Sequence, residues 1–119
     1  MKKAILTILF FLSFPHLYSP CAIGFPAEDV QLVMDAQYFE VAKKLIQEAK
    51  QSIQVMMFEM GYYDQYPNTP SNLLIKELID ATKRGVKVEV ILEVKEGEDR
   101  TTKRNRHTGR VLSEGGVEV

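Results

Sequence analysis

The chain of 119 residues has a single cysteine, Cys21, and no tryptophan. One thiol cannot build an internal disulfide framework, so core burial alone must hold the fold. An excess of charge is lacking too: 15 Lys and Arg stand against 16 Asp and Glu, a net of −1. No global field draws the chain toward nucleic acid or an anionic membrane. No apolar run reaches the roughly 20 residues that a bilayer-spanning helix needs. The sequence holds no internal repeat, no low-complexity tract, no glycine-rich dinucleotide loop, no phosphate-binding loop and no cluster of metal-ligand residues. It offers no motif for a serine or cysteine triad either. Disulfide scaffolds, membrane spans and sites built on those two nucleotide-binding loop motifs are thereby set aside.

What is present begins with Met1-Lys2-Lys3, an apolar stretch from Ala4 to Phe14, and Pro15. A basic start, an apolar run of about ten residues and a turn-prone exit describe a secretory signal peptide. A buried N-terminal helix fits less well, because the run has no polar face to meet water. Ala22-Ile23-Gly24 supplies small residues for cleavage, which predicts a signal peptide over 1–24 and a mature body over 25–119 beginning at Phe25. Ala22 is a nearly equal last removed residue. Cys21 invites a lipoprotein reading, but Pro20 before it is a poor fit to an acylation site. Secretion or periplasmic location is the expectation. Without Lys2 and Lys3 the basic count falls to 13 against 16 acidic residues, and a body of about 95 residues folds alone only marginally.

Along the body, Asp29–Met34 alternates polar and apolar residues as a half-buried strand does. Asp35-Ala36-Gln37 reads as a turn. Tyr38, Val41, Ala42, Leu45, Ile46 and Ala49 then share one helical face over about 38–51. Ser52–Met60 is almost continuously apolar, the pattern of a strand covered on both faces. Gly61–Pro70 is a loop, and Thr69-Pro70 is a capping hydroxyl followed by a proline that suits a first helical turn. That predicts a helix over about 71–84, closed by Gly85 in the left-handed conformation. Val86–Leu92 is β-branched and reads as a doubly covered strand. Lys95–Thr102 is a charged loop, 104–114 a short helix ended by Gly115, and Val117–Val119 a further strand. Strands separated by such helices predict an α/β fold with a mostly parallel or mixed sheet and helices on both faces. Val55, Met57, Val88, Val90, Leu92, Leu45, Leu78 and Leu112 are the expected core.

Ligands of parallel α/β sheets bind outside the carboxyl ends of the strands. Here those ends carry Asp35, Glu59–Tyr63 and Glu93–Asp99. Glu59, inside an apolar run, either shapes a site or is a polar group satisfied at the sheet's end. Tyr62, Tyr63 and Tyr66 make an aromatic loop that suits a substrate cleft, a lipid interface or plain loop packing. Arg100, Lys103, Arg104, Arg106 and Arg110, with His107, form a basic cluster. It fits either a phosphodiester or a solvated helix face.

The ordered phrases Asp35-Ala-Gln-Tyr-Phe39, Ile53–Glu59, Leu74–Ala81, Lys83-Arg-Gly-Val-Lys-Val88 and Asn105 through Leu112 to Gly116-Val-Glu-Val119 resemble the first part of a phospholipase D-like domain. Glu93 departs from the aspartate that many members carry. The resemblance implies an α/β half-domain of a phosphodiesterase acting on phospholipid or nucleic acid without metal or other cofactor. In that family one histidine attacks phosphorus, a second protonates the leaving oxygen, and lysines stabilise the phosphoryl charge. The defining His-x-Lys-x4-Asp motif follows the strand corresponding to Gly116–Val119. Neither His16 nor His107 opens such a motif, so no catalytic, cofactor-binding or metal-ligating residue is assigned. The implied reading is a secreted fragment, inactive alone, completed by downstream sequence, a complementing fragment or a homodimer. A non-catalytic secreted binding module and an unrelated small α/β domain are the competing readings.

Overall fold

The computed structural model describes residues 30–119. The proposed signal segment, its cleavage site, Cys21 and His16 lie outside the described residues. The chain divides into one unit up to Gln31 and a second from Leu32 to Val119, and the elements that follow belong to the second. They are α1 (Asp35–Glu48), β1 (Ser52–Met57), α2 (Pro70–Lys83), β2 (Lys87–Leu92) and α3 (Arg100–Glu114).

β1 and β2 pair in parallel, with Ile53 opposite Val88, Val55 opposite Val90 and Met57 opposite Leu92. The chain after α3 returns to the far side of β2, where Val90 N donates to Glu118 O and Glu118 N to Val88 O. The expected strand at Val117–Val119 is thus a single bridge between Glu89 and Glu118. The α/β class and the parallel pairing are those predicted from the alternation of elements. One core joins Ile75, Leu78 and Ala81 of α2 to Val88 and Val90 of β2, Leu112 of α3, and Met60, Val86 and Val117. Both crossover helices therefore serve the same side of the sheet.

Several expectations need correction. Val30–Met34 is no strand: it pairs with no other strand, and Val30, Leu32 and Met34 are exposed. Alternation alone makes no strand without a partner ladder. Asp35-Ala36-Gln37 is the first turn of α1 rather than a separate turn, a position where the Asp35 carboxylate suits the helix dipole. Leu45 is 65% exposed, because α1 rests on α2 through a narrow stripe rather than on the sheet. Ile46 and Ala49 reach the core, while Arg84 Nη2 donates to Ile46 O at 2.9 Å. Met57 is exposed and Val55 and Leu92 are only partly buried. The strands are not covered twice: Met56 is 79% and Ile91 51% exposed, and no described helix lies over that face.

The two inter-element stops are built alike. Gly85 and Gly116 both have φ +88°, and the amides of Val86 and Val117 reach back to Ala81 O and Leu112 O. Each is a Schellman closure that delivers a buried valine to the core. Gly116, not Gly115, is the left-handed residue of α3's end. Gly115 is needed for another reason: a Cβ there would meet Ile79 Cγ1 at 2.6 Å. Its absence lets α3 lie close to α2.

Candidate functional site

The carboxyl ends of β1 and β2 are held by side chains of α3. That helix starts at Arg100, four residues earlier than expected, because Asp99 accepts a hydrogen bond from Thr102 N at 2.8 Å. Capping by a short acidic side chain satisfies an amide with no helical partner. The same bond holds the Asp99 carboxyl below its ordinary value of 3.8.

From this cap, Thr102, Asn105 and Thr108 follow at three-residue spacing and share one face. All three are buried. Thr102 Oγ1 accepts from Lys95 N. Asn105 Nδ2 donates to Phe58 O and Glu93 O, each at 2.8 Å, while its Oδ1 accepts from Met60 N at 2.9 Å. Thr108 Oγ1 donates to Met60 O and accepts from Tyr62 N. At its mouth the sheet runs out of ladder partners, and these three side chains replace them.

Glu59 is a satisfied polar group at this edge. Its carboxylate pairs with Arg104 Nη1 and accepts from Thr101 Oγ1 at 3.0 Å. The Arg104 guanidinium also lies over the Tyr63 ring, 5.6 Å from its centroid. The loop after β1 is fixed from its other side by Asn72 of α2, which accepts from Tyr63 N and donates to Tyr63 O and Tyr66 O. Ser71 Oγ donates to Gly61 O at 2.5 Å.

The basic cluster does not converge. Arg104 is committed to Glu59, and Lys103 pairs with Glu98 at 3.1 Å. Arg100, Arg106 and Arg110 are exposed. His107 Nε2 stands 3.0 Å from Asp64 Oδ2, out of line for a hydrogen bond, beside the Tyr62 ring. Asp35 belongs to the exposed start of α1 and takes no part. Among the described residues no group of His, Cys, Asp or Glu is placed to hold a metal ion.

Two concavities flank the clamp. One of about 240 Å³ lies among Phe58, Glu93, Lys95 and Asp99–Thr102. The other, of about 380 Å³, lies between the start of α1, the end of β1 and the start of α2. Sequence reading found Glu59 and the tyrosine loop but missed Asn72, Thr102, Asn105 and Thr108. The available signal was the run of small polar residues at i, i+3 and i+6 that leads into the core residue Leu112; the arginines between them drew attention to the opposite face.

A family model described as "Cardiolipin synthase, PLD-like domain" matches residues 42–119. The match takes in the second half of α1, both strands, α2, α3 and the bridge at Glu118. No curated protein and no solved structure matches the chain. The chain belongs to the family of phospholipase D-like domains.

Proposed function

We propose that these residues form a scaffold section of a secreted phospholipase D-like phosphodiesterase, and that they hydrolyse nothing by themselves. One observation carries the reading: the sequence has two histidines, His16 and His107, and neither is followed by x-Lys. His107 stands beside Asp64 and Tyr62, where α3 meets the tyrosine loop. In a phospholipase D-like reaction a histidine nitrogen bonds to phosphorus while the ester oxygen leaves with a proton from a second histidine. Water then cleaves the phospho-histidine. This chain's contribution is the rigid carboxyl-end rim, fixed by Glu59, Arg104 and Asn105, next to which such a motif would be held.

The substrate is a phosphodiester of phospholipid or nucleic acid, and the partner is a polypeptide that supplies His-x-Lys-x4-Asp. The test uses purified chain, a chelator and a fluorogenic phosphodiester. The expected rate is at background, since loss of the nucleophile costs several orders of magnitude. Turnover that persists in a His107→Ala variant overturns the assignment, because chemistry would then reside in residues placed here as structural. Expression in a bacterial host should yield a shortened periplasmic or extracellular product, and intact chain in the cytosol under export-competent conditions refutes the signal reading.

A further inference from the structure

We propose that the groove between α1, the end of β1 and the start of α2 binds a single hydrocarbon chain, the tail of an amphiphile. The inference concerns binding alone and stands apart from any hydrolysis. The groove measures about 380 Å³, within the range of small-ligand pockets, which begins near 300 Å³. Phe39, Met57, Met60, Tyr63 and Leu74 supply its walls. Methionines adapt their shape to apolar guests more readily than branched side chains do.

The two other side chains that matter are Glu59 and Ser71, and neither asks for a ligand. Glu59 already serves Arg104 and Thr101, and the Ser71 hydroxyl is spent on Gly61 O. With its polar groups satisfied internally, the groove rewards a guest that needs no hydrogen bond. Charge points the same way. The ionisable carboxylate on the wall is Glu59, and no lysine or arginine lines the groove. A nucleic-acid backbone finds no cation here to replace its counterions, whereas a neutral chain meets no repulsion.

The walls are preformed. Tyr63 lies back over Gly61, where an added Cβ would fall 2.6 Å from the Tyr63 hydroxyl. Arg104 covers the same ring, and Asn72 pins the Tyr63 backbone by two hydrogen bonds. Little ordering cost therefore falls on binding. At the mouth, Tyr38 and Met57 are exposed, and Lys43 stands 5.9 Å from the Phe39 ring centroid, a place for an anionic head group outside the groove.

The experiment is calorimetric titration of the full chain with decyl- and dodecyl-phosphocholine, both kept below micelle formation. Saturable one-to-one binding is expected, tightening roughly tenfold for the two added methylenes. Phosphocholine without a chain should give no heat, and a single-stranded oligonucleotide should not compete. Met57→Lys should abolish binding while leaving the thermal melt intact. If that variant fails to fold, Tyr38→Ala, at an exposed position, should weaken binding severalfold. Absence of saturable binding, retention of full affinity in the foldable variants, or displacement by the oligonucleotide overturns the proposal. Association with phosphatidylcholine vesicles without binding of monomeric amphiphile overturns it as well, since that identifies a bilayer surface rather than a chain-binding groove.

Discussion

Asn105→Ala removes the centre of the clamp. The side chain is 1% exposed and makes three hydrogen bonds, to Phe58 O, Glu93 O and Met60 N, at 2.8, 2.8 and 2.9 Å. Alanine fits the helix well, so propensity offsets only a few tenths of a kcal/mol of what is lost. Each bond contributes a net of about 1 kcal/mol while it is made, and a buried group left unsatisfied costs about 1–3 kcal/mol. The Met60 amide is buried and becomes an orphan, while the two carbonyls are closer to solvent and regain water more cheaply. The total is about 3–5 kcal/mol, a large part of the ~5–15 kcal/mol that holds a small domain together. With a urea slope of about 1–2 kcal/mol/M, the unfolding midpoint falls by about 2 M or more. Hydrogen exchange supplies the local readout: the Met60 amide, protected in the parent, should exchange fast even where the helix amides stay slow. Arg106→Ala on the exposed side of the same helix serves as control and should stay within about 0.5 kcal/mol. A loss below about 1 kcal/mol for Asn105→Ala would show that the strand ends do not depend on this residue.

Two more outcomes can be measured on the same protein. Because the Thr102 amide holds the folded Asp99 carboxyl below 3.8, its contribution is full above that unfolded value and is lost as pH falls through the lower folded one. Asp99→Ser should keep the cap and flatten this acid-side slope, and an unchanged slope in a urea series at several pH values counts against the cap. Met56→Lys with Ile91→Lys should cost less than about 1 kcal/mol if both side chains meet water, and should raise solubility by breaking an apolar patch. A loss of several kcal/mol would place a covering element over that face.

The sequence carried the order of elements because each boundary has a local cause. Thr69-Pro70 starts α2 with a side-chain cap, Gly85 and Gly116 close their helices with positive φ, and Val86–Leu92 has too many β-branched residues for anything but a strand. Val90, Leu78 and Leu112 are buried as their spacing requires. Failures arose wherever burial depends on what lies across from a residue. Met56 and Ile91 look like core by type, yet hydrophobicity records only the tendency to leave water and not the presence of a cover. Leu45 fails in the same way, one position off a narrow contact stripe. Val30–Met34 has a strand's alternation without a paired neighbour.

The clamp was illegible for the opposite reason. A threonine or asparagine inside a helix usually signals exposure or a weak helix former, and three of them amid arginines resemble a solvated segment. Only the position of the sheet's mouth gives them a purpose. Carbonyls and amides at the end of a parallel ladder need partners, and a helix presenting short polar side chains at i, i+3 and i+6 can reach successive ones. Once α3 is known to cross that edge, its two faces separate by chemistry. Short uncharged side chains replace the missing ladder inside, where an unpaired charge would be costly. Long charged ones stand in water outside, apart from Arg104, whose partner Glu59 comes from the strand itself. An arginine-rich helix can thus anchor a sheet without binding any anion, and the pattern to read in such a segment is the spacing of the small residues rather than the count of the large ones.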